Sequence, residues 1–159
     1  VTETRPATAR DRERLLAINA AADAAALPAP WIERALGRDD GTLLLVAADA
    51  QDVPAGFCLA DITLDEASLL LIAVSPEVRR CGLGAALLTA LSESLAARGV
   101  CRCLLEVRES GDSARRLYRR CGFQEDGRRR AYYPTDDGTS REDAILMSKS
   151  LENTAHGRA

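Results

Sequence analysis

Histidine is nearly missing from this sequence. The single one, His156, lies in a polar C-terminal stretch expected to fray, so imidazole-based catalysis is not expected. The five cysteines form no CxxC pair and stand in no Cys/His spacing of the kind that holds zinc, so no metal site is expected. Cys101 and Cys103 read instead as small buried thiols on one face of a strand. An odd number of unpaired thiols suits a reducing compartment, and a cytoplasmic location is expected. No run approaches the ~18 apolar residues of a membrane span, and no charged-then-apolar leader opens the chain. Basic residues do not outnumber acidic ones. With a net charge of −3 and a pI near 5.3, nucleic acid is not the expected ligand. Repeats, linkers and low-complexity segments are also lacking, so the 159 residues read as one domain over 1–151 with a tail at 152–159.

What is present is a patterned α/β chain, 47% hydrophobic and 28% charged. Residues 2–7 read as a strand that Pro6 confines to an edge or a strand end. Thr8 and Asp11 resemble a capping box before a helix with Leu15, Ile18, Ala22 and Ala25 on one face. Pro30 starts a short helix carrying Trp31, Ile32, Ala35 and Leu36, closed by Gly37. Residues 42–48, 56–62 and 68–74 read as strands separated by turns at Asp49, Gln51 and Asp52 and at Asp65 and Glu66. A long helix then carries Leu83, Leu87, Leu88, Leu91 and Leu95 on one face and stops at Gly99. Strand 101–108 follows, then a helix capped by Asp112 or Ser113, with Ala114, Leu117, Tyr118 and Cys121 inward. Two strands, around 131–133 and 143–151, close the chain. The order predicts a mixed sheet with one β-α-β crossover in the middle.

That crossover is the most informative stretch. Between its strand and its helix lies a short basic loop, Arg79-Arg80-Cys81-Gly82-Leu83-Gly84. A glycine-bearing loop opening a helix offers unpaired backbone N–H groups and a positive dipole end, which together receive a phosphate. Arg79 and Arg80 add fixed charge. A nucleoside triphosphate fits poorly, because the loop lacks the Gly-Lys-Ser/Thr ending. A dinucleotide finds Gly82-x-Gly84 and an acid, Glu106, about 20 residues on. Against it, Leu87 fills the third small position and residues 75–81 separate strand from glycine.

The third ligand is coenzyme A. The loop resembles the acyl-CoA signature Gln/Arg-x-x-Gly-x-Gly/Ala of the GNAT N-acetyltransferase superfamily. DEASLLLIAVSP, LLEVRES, the Ala114-to-Tyr118 spacing, CGF, AYYP and REDAILM, with APW around Trp31, occur in the order seen in bacterial ribosomal-protein-alanine N-acetyltransferases of the RimI type. The likeness is dense from 65 to 147 and thin before 42. It implies a single-domain GNAT-like fold, a mixed and mostly antiparallel sheet of about seven strands flanked by about four helices. It also implies a metal-free acetyltransferase that takes acetyl-CoA and acts on the N-terminal alanine of protein eighteen of the small ribosomal subunit, as a monomer or weak dimer.

By the same resemblance Glu106 is the general base and Tyr118 the general acid. Backbone groups of Ile72, Ala73 and Val74 bind the pantetheine arm and polarise the thioester carbonyl, and the loop from Arg79 through Arg80, Cys81, Gly82, Leu83 and Gly84 to Ala85, with Gly111, binds the rest of the cofactor. Trp31, Glu66, Tyr132 and Tyr133 line the peptide groove. Read on their own, these residues keep other readings open. Glu106 lies between Leu104 and Arg108 on the strand face opposite Cys103, Leu105 and Val107. An apolar setting there would raise its pKa, whereas a surface glutamate would pair with Arg108 or Arg102. Tyr118 reads equally as a core tyrosine, and Tyr132 and Tyr133 as core of a closing strand. Asp65, Glu66 and Glu142 read as attractors of a basic peptide or as solvated turns, and Arg128 to Arg130 as a solvated strand edge. Two features depart from the family pattern. Gly111 replaces an asparagine that touches the pantetheine arm, and the loop at 138–141 is about two residues longer. Acetylation of a small-molecule amine and a non-catalytic CoA-binding module are the alternative functions.

Overall fold

Period-two strands and leucine-striped helices build an open α/β sheet. The computed structural model describes residues 2–37, 41–79 and 81–151. In chain order it runs β1 (Glu3–Pro6), α1 (Arg12–Ala20), α2 (Ala29–Leu36), β2 (Thr42–Ala48), β3 (Pro54–Thr63), β4 (Glu66–Val74), α3 (Leu83–Ala97), β5 (Arg102–Arg108), α4 (Asp112–Arg120), β6 (Gln124–Pro134) and β7 (Arg141–Ser150). Arg80, and the tail 152–159 with His156, lie outside the described residues. Among those described, no helix is long and apolar enough to cross a membrane.

Local chemistry accounts for most boundaries. Pro6 closes β1 at the sheet edge, where its missing N–H forfeits no ladder bond. The Asp11 carboxylate accepts a hydrogen bond from the Thr8 backbone N–H at 2.8 Å, and a 3-10 turn leads into α1. Pro30 sits in the first turn of α2 and Gly37 caps its end. Four expectations need correction. The first helix ends at Ala20, leaving Ala25 exposed beyond it. Cys101 precedes β5 and is exposed, held by its N–H to the Asp65 carbonyl at 2.7 Å, while Cys103 is buried. Gly111, not Asp112 or Ser113, caps α4. The strand expected at 131–133 is one end of the much longer β6. Nearly all of β6 is exposed, so it carries no apolar alternation for the eye to find.

The seven strands lie in the order β1-β2-β3-β4-β5-β7-β6. All neighbours are antiparallel except β4 and β5, the pair joined through α3. One face packs on α3 and α4 through Leu45, Cys58, Leu69, Leu87, Leu91, Leu105, Tyr118 and Met147. The other packs on α1 and α2 through Leu15, Ile18, Ile32, Val46, Phe57, Leu59 and Leu71.

In β4 the alternation changes face. Ala67 and Leu69 belong to the α3 side, yet Leu71 and Ala73 belong to the α1 side. The cause is a bulge: Leu59 faces Leu71 and Ala60 faces Leu69, so Leu70 is an extra residue. An inserted residue reverses every later side chain and bends the strand. The bend decides what happens next to it. Here β4 and β5 pair only at Glu66↔Arg102, Ala67↔Cys103 and Ser68↔Leu104, and then part.

Candidate active site

The parting of β4 from β5 leaves a cleft within the sheet itself. Residues 69–74 of β4 remain paired to β3 on one side, and β5 stays paired to β7 along its whole length. On the sides that face each other, backbone N–H and C=O groups of the described residues take no part in strand pairing and are open to a ligand, apart from the Val74 C=O, which accepts from Arg79 Nε at 3.5 Å. A cavity of about 1350 Å³ occupies the gap. Its volume exceeds the ~300–1,000 Å³ of an ordinary small-ligand pocket, leaving room for an elongated ligand and a second substrate. Leu27 and Ala25 from the α1–α2 connection line it at one face of the sheet, and residues of α3 and α4 line it at the other.

On the α3 side the loop and the helix N-terminus meet the cavity. Gly82 caps α3 with φ of 81°, a left-handed conformation that glycine adopts without strain. Arg79, Gly82, Leu83, Gly84 and Ala85 all lie on the wall. A Cβ on Gly84 would lie 2.9 Å from Leu117 Cδ2 of α4, so the leucine tip would have to swing aside. Absence of a side chain thus lets α3 settle against α4, with its unpaired N–H groups at the cavity. The residues fit the diphosphate of a CoA-type ligand there, and the open strand edges fit its amide-bearing arm. Gly111 also lines the wall, but a Cβ on it would meet the Arg108 carbonyl at 3.1 Å. A side-chain amide at that position needs a backbone shift; Arg108 and Ser113 are the polar side chains flanking Gly111 on this stretch of wall.

Glu106 and Tyr118 both reach the cavity, from opposite faces of the sheet. Tyr118 belongs to the α3-side core, edge-on to Phe123 with ring centroids 5.8 Å apart. No group among the described residues hydrogen-bonds its hydroxyl. Burial first, then the neighbouring Cys103, pushes the phenol up to about 12. Glu106 points the other way, and its setting is not the apolar one the strand suggested. Its side chain is 31% exposed and ion-paired to Arg129 at 3.0 Å. The partner is thus neither Arg108 nor Arg102. Arg129 also lies over the Tyr132 ring, 5.2 Å from its centroid.

A second bulge builds this outer rim. Arg129 faces Ala144 and Tyr133 faces Glu142, so Arg130, Ala131 and Tyr132 stand opposite Asp143 alone. Ala131 takes a left-handed φ of 51°, pinned by its N–H to the Asp143 carboxylate at 2.9 Å. The kink brings Tyr133 onto the cavity wall, stacked under Arg108 at 4.5 Å and edge-on to Tyr132 at 4.9 Å. Burial, then the charge of Glu106, raises the Tyr133 phenol. Glu142 accepts hydrogen bonds from the Ser110 hydroxyl at 2.7 Å and backbone N–H at 3.1 Å, which hold its carboxyl below the usual range.

Several sequence candidates lie elsewhere. Trp31 is exposed on α2 and is not on the wall, while Cys81 is exposed in the loop and turned off it. Glu66 sits at the far, still-paired end of β4, opposite Arg102. Ile72 and Val74, expected to act through their backbone groups, do line the cavity, and Ala73 between them turns its side chain into the α1-side core. Other wall residues escaped the sequence reading: Arg108, Arg116, Arg119 and Arg120, with Leu27. Leu27 is placed by buried Asn19, which bonds its N–H at 2.9 Å and its C=O at 2.8 Å. The helical spacing of Arg116 and Arg120 was available as a signal. The Asn19 clamp had none.

The chain resembles known proteins over much of its length. Residues 11–123 match the model of the acetyltransferase (GNAT) family. Over 75 residues it is 52% identical to the ribosomal protein bS18-alanine N-acetyltransferase of Escherichia coli (strain K12), covering 47% of this chain and 49% of that enzyme. The protein of the same name from Haemophilus ducreyi is 44% identical over 78 residues, 49% and 53% of the two chains. The chain thus spans about half the length of the curated relatives it matches. The crystal structure of the ribosomal-protein-S18-alanine N-acetyltransferase from Escherichia coli superposes with a TM-score of 0.86 at 33% identity, covering 100% of this chain and 99% of that one. Arabidopsis thaliana NAA60, solved with a bisubstrate analogue, matches with a TM-score of 0.84 at 19% identity over 97% and 100%, a likeness of fold alone.

Proposed function

Because the chain belongs to the GNAT family of acetyltransferases, we propose that it transfers the acetyl group of acetyl-CoA to the N-terminal α-amine of a protein. The substrate we favour is the N-terminal alanine of ribosomal protein bS18, the one named for its relatives. One observation carries this reading: a carboxylate and a buried phenol enter the same cavity from opposite faces of the sheet. The amine then approaches from the α1–α2 face, past Leu27 and Tyr133, while the thioester carrier lies along the α3–α4 face.

In the reaction the amine nitrogen attacks the thioester carbonyl carbon, and the carbon–sulfur bond breaks. Glu106 takes the amine proton, directly or through water. Free β4 N–H groups in the gap donate to the carbonyl oxygen as it gains charge. Tyr118 supplies a proton to the departing sulfur. Against a reference thiol near 8.5, a phenol at about 12 makes complete transfer roughly 3.5 units uphill, about 5 kcal/mol. That is steeper than a reference tyrosine would face. The phenol therefore acts by hydrogen-bonding sulfur as its charge develops, with proton transfer concerted with bond cleavage.

An α-amine, with a reference pKa near ~8 against ~10.4 for lysine, needs about two units less help to become the neutral nucleophile. A single half-exposed carboxylate suits that lighter demand, which favours a chain N-terminus over a lysine side chain. The free thiols suit a reducing cytoplasm, where we place the reaction. Incubation of an Ala-initiated ribosomal peptide with acetyl-CoA, followed by mass spectrometry, should show a single acetyl group on the α-amine. A clear preference for a small amine in a parallel panel would overturn the peptide reading. CoA binding without acetylation of any amine would make the chain a binding module.

A further inference from the structure

We propose that Arg116 and Arg120 of α4 form a separate subsite for the 3′-phosphate monoester on the ribose of the CoA donor. This deepens the donor reading above and rests on it. CoA carries phosphate at two places, a diphosphate in its chain and a monoester on its ribose, and the N-terminus of α3 accounts only for the first. The monoester is close to a dianion at neutral pH and calls for its own cationic partner.

Both arginines are exposed, lie one helical turn apart and line the cavity. Leu117, which follows Arg116 directly, packs on Gly84, so this part of α4 lies alongside the first turn of α3. The other two arginines of α4 are already engaged. Arg115 and Arg119 both bind Glu125, the former at 2.7 Å. Among the described residues Arg116 and Arg120 have no acidic partner, and the one acidic residue on the cavity wall, Glu106, faces the opposite side of the sheet. Two like charges at this spacing repel each other, and a dianion between them removes that repulsion. Arginine also offers a planar fork of donors that matches phosphate oxygens. Ser113, on the same stretch of wall, adds a hydroxyl.

Titration calorimetry of CoA and 3′-dephospho-CoA on the full chain tests the subsite. The wild type should bind CoA at least about tenfold more tightly than the dephospho form. In the double variant Arg116→Gln/Arg120→Gln that gap should shrink to threefold or less, through weaker binding of CoA. Equal affinities in the wild type, or an undiminished gap in the variant, would overturn the subsite and leave the donor reading standing. A wild type that binds neither compound loses both.

Discussion

Raising the pH should unfold this protein well before its surface would suggest, because three weak acids share its α3-side core. Cys58, Cys103 and Tyr118 are all buried there. Burial pushes the Cys58 thiol up to about 12, the Cys103 thiol to about 11 and the Tyr118 phenol to about 12. In the unfolded chain they titrate near 9.0 and 10.0. The folded state holds these protons more tightly, so the stabilisation is complete below about pH 9 and is lost as pH rises through 9 to 12. At about pH 10.5 each thiol costs about 2 kcal/mol and the phenol about 1, a loss near 5 kcal/mol relative to about pH 8. Domains of this kind have about 5–15 kcal/mol to lose. Lysine adds little background, since Lys149 is the single one and the arginines keep their charge, and the raised Tyr133 phenol adds a further loss of the same sign. Urea unfolding followed by circular dichroism at the two pH values measures the difference. Cys58→Ala should reduce the pH-dependent loss by about 2 kcal/mol, whatever its own packing cost, because that cost is common to both pH values. A wild-type loss below about 1 kcal/mol would refute the reasoning, as would an unchanged loss in Cys58→Ala. The functional corollary is that Tyr118 keeps its proton throughout the working range.

Glu106→Gln should lower turnover by about 10²-fold or more while calorimetric CoA binding persists; a rate within threefold of wild type would remove the carboxylate from proton transfer. Ala131 occupies left-handed backbone with φ of 51°. Ala131→Asn should therefore raise stability by about 0.5–1 kcal/mol, seen as a melting temperature about 1–4 °C higher. A lower melting temperature would show that the methyl group, not the strain, matters at that bulge. Asn19→Ala removes both bonds that hold Leu27 and should cost about 2 kcal/mol. It should raise KM for the peptide more than KM for acetyl-CoA, and equal increases would show that the clamp does not shape the amine side of the cavity.

Much of the architecture was legible along the chain because it depends on neighbours in sequence. Leucine spacing marks α3, proline and glycine mark the ends of α2, and Gly82 and Gly84 mark the turn that opens α3. The alternation of β5 correctly separates Glu106 from Cys103, Leu105 and Val107. The setting of Glu106 was not legible, since its partner Arg129 arrives from β6, across β7 in the sheet order. β6 itself was seen only at one end, because an exposed edge strand has no apolar face to declare it.

Local patterning by itself thus determined most element types, the helix-opening turn and the faces on which Glu106 and Tyr118 lie. Tertiary structure alone decided the rest, for physical reasons that no short window contains. The bulge at Leu70 exists only against β3, and it turns β4 away from β5 to open the cleft. The kink at Ala131 exists only against Asp143, and it carries Tyr133 to the rim. Both are defects of register between two strands, which a single strand cannot specify.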